Sequence, residues 1–256
     1  MAANPNHLKT ESRRRGAQDQ CGSGALAPRQ KINTPLSWGM VHNPAMLDWD
    51  LDEAARHLAD CDPAFGAIID RVGPCRVALH KVSQPFPALL HSIVYQQLSG
   101  KAAATIWGRV AALFPRNAPK PDLLLALSDE QLRGAGLSRG KVLAARDLAA
   151  KVIDGTVPTA AAMRKMDDAD VVAHLTQVRG IGPWSAEMFL MFRLGRPDVL
   201  PIGDLGVRKG FQIGWRKRNL PSPEALAKHG RRWAPYRTAA SWYLWATVDG
   251  EGGGWD

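Results

Sequence analysis

The sequence predicts an all-α protein, and three observations carry that expectation. Between residues 51 and 248, apolar side chains recur at three- and four-residue intervals, the period of a helix with one buried face. Helix punctuation frames these segments: Ser128 and Ser138 as caps, Pro183, Pro223 and Pro235 in first turns, Gly155 as a stop. No two neighbouring runs alternate apolar with polar around a short turn, so no strand hairpin is expected.

The elements follow in order. LDEAARHLADC (51–61) and PAFGAIIDRVG (63–73) read as two helices split at Pro63. PFPALLHSIVYQQL (85–98) is a third, and GKAAATIWGRVAALF (100–114) a fourth, with Ala103, Ile106, Trp107, Val110 and Phe114 on one face. Ser128 and Gln131 have capping-box spacing before a short helix. Ser138 caps GKVLAARDLAAKVI (140–153). Five more helices are expected at 168–178, 183–194, 204–214, 223–230 and 235–248.

At 256 residues, 45% hydrophobic and 22% charged, the chain has room for one large domain or two small ones with an ordinary globular composition. No apolar run approaches the ~20 residues that span a bilayer, so no membrane partner is expected. The N-terminus lacks the apolar core of a secretory signal, which makes cytoplasmic the default location. Cys21, Cys61 and Cys75 are too few and too scattered for a disulfide framework, a zinc site or an iron–sulfur cluster. The net charge is +9, but residues 1–40 hold six basic and two acidic side chains, leaving five surplus charges for the remainder. Charge permits a polyanionic partner without requiring one. Residues 1–42 read as a disordered basic tail, either adding nonspecific affinity for such a partner or simply solvated.

The most informative stretch is LTQVRGIGPWSAEMFLMF (175–192). One helix meets a Gly-Ile-Gly turn, and another opens at Pro183. Gly180 and Gly182 allow positive φ and close backbone approach, and free N–H groups at the second helix's start suit a phosphate. The same triplet also serves as a plain tight corner between two helices. After it comes DVLPIGDLGVRKGF (198–211), which places Asp204 at a helix N-terminus 20 residues beyond Trp184.

This pairing resembles the helix-hairpin-helix DNA glycosylase superfamily. The wider likeness is to its 3-methyladenine (alkylbase) DNA glycosylase II branch, over roughly residues 45–248, through HSIVYQQLSGKAA (91–103), GLSRGKVLAARDLA (136–149) and WAPYRTAASWYLW (233–245). The resemblance implies two helical subdomains, residues 43–90 with 200–250 and residues 91–199. An active-site cleft lies between them, with the hairpin (175–190) beside it. With helical signals by residue 51, the compact form without a β-rich N-terminal domain is expected.

Cleavage of a nucleoside's C1′–N bond builds positive charge on the sugar, which a carboxylate stabilises while orienting water. The resemblance assigns that role to Asp204; a plain N-cap of the helix at Leu205 is the other reading. Glu187, mid-helix, reads as a surface or structural acid. Relatives that also nick the strand carry a Schiff-base lysine just after the hairpin. Trp184 stands there instead, so water attack is expected, with no cofactor required.

An electron-poor alkylated base stacks on electron-rich rings. The resemblance places Trp184 and Trp245 in the base pocket, with Gln96, Tyr95 and Met188, the last where some relatives carry Tyr. Core packing is the alternative for the tryptophans, and is preferred for Trp107, Trp233 and Trp242. Gln97 is the candidate wedge that fills the gap behind a flipped base, or an ordinary polar residue at a helix end. Arg179, Ser185, Lys141 and Arg208 join Gly180 and Gly182 as candidate DNA contacts. The hairpin carbonyls of Thr176, Val178 and Ile181 are implied to hold a sodium or potassium ion. The expected partner is double-stranded DNA with a damaged base, bound by a monomer in the cytoplasm, at the nucleoid, or in a nucleus.

Overall fold

Helix signals in the sequence become hydrogen bonds in the structure, a computed structural model describing residues 47–80 and 82–250. Helix α1 (Leu51–Cys61) follows Asp50, whose carboxylate accepts from the Glu53 amide at 2.8 Å. Helix α2 (Pro63–Val72) begins two residues later with Pro63 in its first turn and Asp62 as cap. Helices α3 (Pro85–Tyr95) and α4 (Gly100–Ala111) come next, the latter ending short of its predicted limit while Phe114 still packs in the core. Helices α6 (Asp129–Gly134) and α7 (Arg139–Ile153) carry the predicted caps, and the Ser128–Gln131 box is reciprocal. Between α4 and α6 lies α5 (Pro121–Ala126), and beyond α7 lies α8 (Ala160–Met163). Neither was expected, because so few residues display no periodicity.

The remainder comprises α9 (Asp168–Leu175), α10 (Pro183–Phe189) running into a π-helical turn (Leu190–Leu194), α11 (Leu205–Gly214), α12 (Pro223–Gly230) and α13 (Arg237–Asp249). Pro183 and Pro223 open their helices as predicted. Pro235 does not: it precedes Tyr236, the residue before α13, so its ring lies outside the first turn. Among the described residues no segment forms a strand, and no helix is long and apolar enough to cross a membrane.

Two packing groups emerge. Helices α1, α2 and α11 pack on α13, while α3 packs on α4 and α7, which α5 and α6 also meet. The predicted division at residue 90 falls inside α3, so that helix joins the central group from Pro85 onward. One hydrophobic core nevertheless runs through both groups. The tail expected at 1–42 lies outside the described residues.

The α11–α13 contact has a legible cause. Gly206, Gly210 and Gly214 recur every four residues and share one face of α11. A Cβ on Gly210 would sit 2.0 Å from the Leu244 carbonyl oxygen, and one on Gly206 would sit 2.8 Å from the Trp245 ring. Only hydrogen at these positions lets the two backbones approach so closely. The start of α2 is tied to α12 and the turn after it by Asp62, a buried carboxylate accepting from His229 Nε2 at 2.7 Å and from Trp233 Nε1 at 3.1 Å.

Candidate active site

Asp204 is held from three directions. As N-cap of α11, its Oδ1 accepts from the Val207 amide at 2.7 Å. The same oxygen accepts from Trp245 Nε1 at 2.8 Å, a contact made possible by the glycine face of α11. Oδ2 accepts from Trp184 Nε1 at 2.6 Å, from the first turn of α10. An ionised carboxylate offers about four acceptor positions, so Oδ2 retains one for a further group. All three donors are neutral, and among the described residues no Lys, Arg or His forms an ion pair with Asp204. The negative charge is oriented but not neutralised. Capping and charge presentation, set as alternatives by the sequence, coexist in one side chain.

Glu187, one turn beyond Trp184 on α10, read from the sequence as a surface or structural acid, is half-buried. Burial, and then the charge of Asp204, push its carboxyl up to about 7. Periodicity could not reveal this, because Asp204 reaches α10 only through the tertiary fold.

The predicted base-pocket residues divide. Trp184 is half-buried. Trp245 is fully buried: its ring lies beneath the Gly206 face, 6.1 Å from Phe192, so in this conformation it anchors Asp204 rather than offering a stacking face. Met188 is likewise buried, at 5% exposure. Trp233 and Trp242 are core residues, as preferred. Tyr95 stacks on His91 with ring centroids 3.9 Å apart, and Trp107 meets His91 edge-on. Burial, with the charge of Arg193 second, pulls His91 down to about 4, so it is uncharged near neutrality.

The hairpin corrects one expectation directly. Gly180 takes φ +80°, where a side chain is strained, but Gly182 has φ −96° and caps α10 in ordinary extended backbone. A Cβ on Gly182 would meet nothing within 4 Å, so its outer side is open space. Arg179, Gly180 and Gly182 are exposed, whereas Ser185 is buried. The Arg179 amide is already taken by Asp147 Oδ2 at 2.6 Å, and Lys151 of α7 donates to the Gln177 carbonyl. The turn is thus held from behind.

Three polar candidates are engaged internally. Gln96 does not reach toward a base pocket: its Nε2 donates to the Gly180 carbonyl at 2.8 Å and to Ser185 Oγ at 3.5 Å. The Lys141 ammonium is turned inward onto the carbonyls of Val94 at 2.7 Å and Gln96 at 2.9 Å, not outward as a phosphate contact would be. Arg208 Nε donates to the Pro221 carbonyl at 2.8 Å, tying α11 to the segment before α12. Gln97 is exposed with φ +58°. Of the three carbonyls assigned to a cation, Val178 already accepts from the Ile181 amide. No group of three or more His, Cys, Asp or Glu among the described residues is arranged to hold a metal, so an ion at the turn would rest on backbone oxygens.

Comparison with known proteins places this geometry. Residues 90–235 match the family model described as HhH-GPD superfamily base excision DNA repair protein. The chain is 33% identical over 200 residues to DNA-3-methyladenine glycosylase 1 of Schizosaccharomyces pombe, covering 77% of this chain and 87% of that protein. The solved complex of the S. pombe 3-methyladenine DNA glycosylase with abasic DNA superimposes with a TM-score of 0.69 at 32% identity, over 75% of this chain and 95% of that one. A DNA-3-methyladenine glycosidase from Bacillus halodurans superimposes with a TM-score of 0.70 at 36% identity, over 78% and 92% of the two chains.

Proposed function

The chain belongs to the HhH-GPD superfamily of base excision DNA repair proteins, in its alkylbase glycosylase branch, and on that premise we propose that it hydrolyses the N-glycosidic bond of alkylated purines flipped from duplex DNA. The observation that carries the reading is the Asp204 carboxylate, pinned by three neutral N–H donors and left with its charge and one lone-pair position.

As the C1′–N bond lengthens, positive charge grows on the sugar. A carboxylate fixed in advance stabilises that charge without reorganising, and the open position on Oδ2 accepts a proton or hydrogen bond from the attacking water. The half-buried Trp184 stacks on a cationic alkylated base, and the nearby negative charge favours it over a neutral base. Water is the nucleophile: Trp184 stands where a Schiff-base lysine would be, and Lys209 Nζ on α11 is engaged with Gln212 Oε1 at 2.8 Å. Gln97 fills the gap behind the flipped base. The Gly180–Gly182 turn meets the backbone phosphates of double-stranded DNA; were a sodium or potassium ion bound there, the carbonyls of Thr176, Val178 and Ile181 would hold it and its charge would attract a phosphate. The protein acts as a monomer.

Base release from methylated and deaminated duplexes by the native chain and by Asp204→Asn tests this. Asparagine still caps α11 but carries no charge, so release should fall at least about 100-fold while duplex affinity persists. Equal release by the two proteins would remove Asp204 from the chemistry, and duplex binding with release by neither would reduce the chain to a hairpin-bearing DNA-binding protein.

A further inference from the structure

Residues 95–99 connect α3 to α4 and are held at several points by other elements. Helix ends leave carbonyls without intrahelical donors. Here the Lys141 ammonium covers the carbonyls of Val94 and Gln96 at the end of α3. Lys141 itself lies in the first turn of α7, where the helix dipole disfavours a cation, and burial lowers its pKa further. Its location is unfavourable for α7 and favourable only for the end of α3. On the other side, the Gln96 amide donates to the Gly180 carbonyl in the hairpin turn. Between these anchors stands Gln97, exposed and in the left-handed region at φ +58°. A non-glycine residue stays there when its surroundings over-determine it. Surface solvation of Lys141 and Gln96 would require none of this.

We propose that Lys141 and Gln96 are positioning residues for base extrusion: together they lock the 95–99 segment to the hairpin, so that Gln97 and the phosphate-facing turn move as one rigid unit. The inference rests on the proposed reading of Gln97 as the plug behind the flipped base. A preset plug lowers the cost of opening a paired site and contributes little where the base is already unpaired.

Single-turnover base release is therefore compared for one alkylated purine placed in a paired duplex and in an unpaired bubble. Lys141→Met and Gln96→Ala should each lower the paired-to-unpaired rate ratio about tenfold, roughly the partial loss of an extrusion term of a few kcal/mol. Lys141→Arg, able to span both carbonyls, should restore the ratio. Gln97→Ala should lower it as well. Variants that slow both substrates alike, leaving the ratio unchanged, would overturn the positioning role. A native chain that releases base from neither substrate would instead sink the proposed function, and a normal ratio in Gln97→Ala alone would sink the plug.

Discussion

The two halves of the site are built on different physics. Asp204 sits where α11 and α13 touch backbone to backbone, and its two indole donors are the fully buried Trp245 and the half-buried Trp184. The hairpin turn and the 95–99 segment lie at the surface, held by a few hydrogen bonds: those donated by Lys151, Lys141 and Gln96 and the one that Asp147 accepts. The difference follows from the task. A charge that stabilises a transition state must not relax, so packing immobilises it. Groups that meet DNA must remain exposed, so only polar ties from one side can order them.

The sharpest way to break the first half is Gly210→Ala. Alanine is the better helix former by about 1 kcal/mol. Its methyl would nevertheless sit 2.0 Å from the Leu244 oxygen, which forces α11 off α13. Net destabilisation of about 3 kcal/mol or more is expected, read by denaturant unfolding. If instead the variant were more stable, the close contact could not be what frames Asp204.

Trp184→Phe keeps a ring but removes the donor to Asp204 Oδ2. A drop in base release of about tenfold is expected, with a stability loss of about 1 kcal/mol. A rate equal to the native one would mean that the carboxylate does not need this anchor.

Glu187 gives a pH-dependent prediction. Its carboxyl lies near 4.5 in the unfolded chain and is pushed up to about 7 in the fold. Between those values the native state binds more protons than the unfolded one, so native stability falls as pH rises from about 4.5 through about 7. Glu187→Gln removes that fall and should be the more stable protein at pH 8, on the order of 1 kcal/mol after solvent screening. Parallel stability–pH curves for the two proteins would contradict the buried setting.

The surface half should respond more gently and unequally within one turn. Gly180→Ala carries a side chain into positive φ and should cost about 1 kcal/mol, whereas Gly182→Ala enters open space and should leave stability within about 0.5 kcal/mol. Any larger effect of Gly182→Ala should appear in DNA affinity, measured by titration at fixed salt.

Much of this was legible in the residues. Helix α1 was predicted at its observed limits, and the Ser128 and Ser138 caps were read correctly, because periodicity and capping are local. The sequence placed Asp204 at a helix N-terminus 20 residues beyond Trp184, but the 2.6 Å hydrogen bond between them emerged only in the structure. The four-residue recurrence of Gly206, Gly210 and Gly214 was also present and went unread, although it marks a helix face built for close approach.

What the sequence determined by itself was therefore the longer helices, the hairpin between two of them, and the family that this order of motifs identifies. Tertiary structure alone decided the rest: that Trp245 is covered, that Lys141 and Gln96 brace a loop, and that Glu187 shares Asp204's surroundings. Periods and caps depend on neighbours a few residues away. A side chain's direction, burial and proton affinity depend on partners far away in the chain, 84 residues in the Gln96–Gly180 contact and 171 in the Asp62–Trp233 contact, and only the packed fold brings those together.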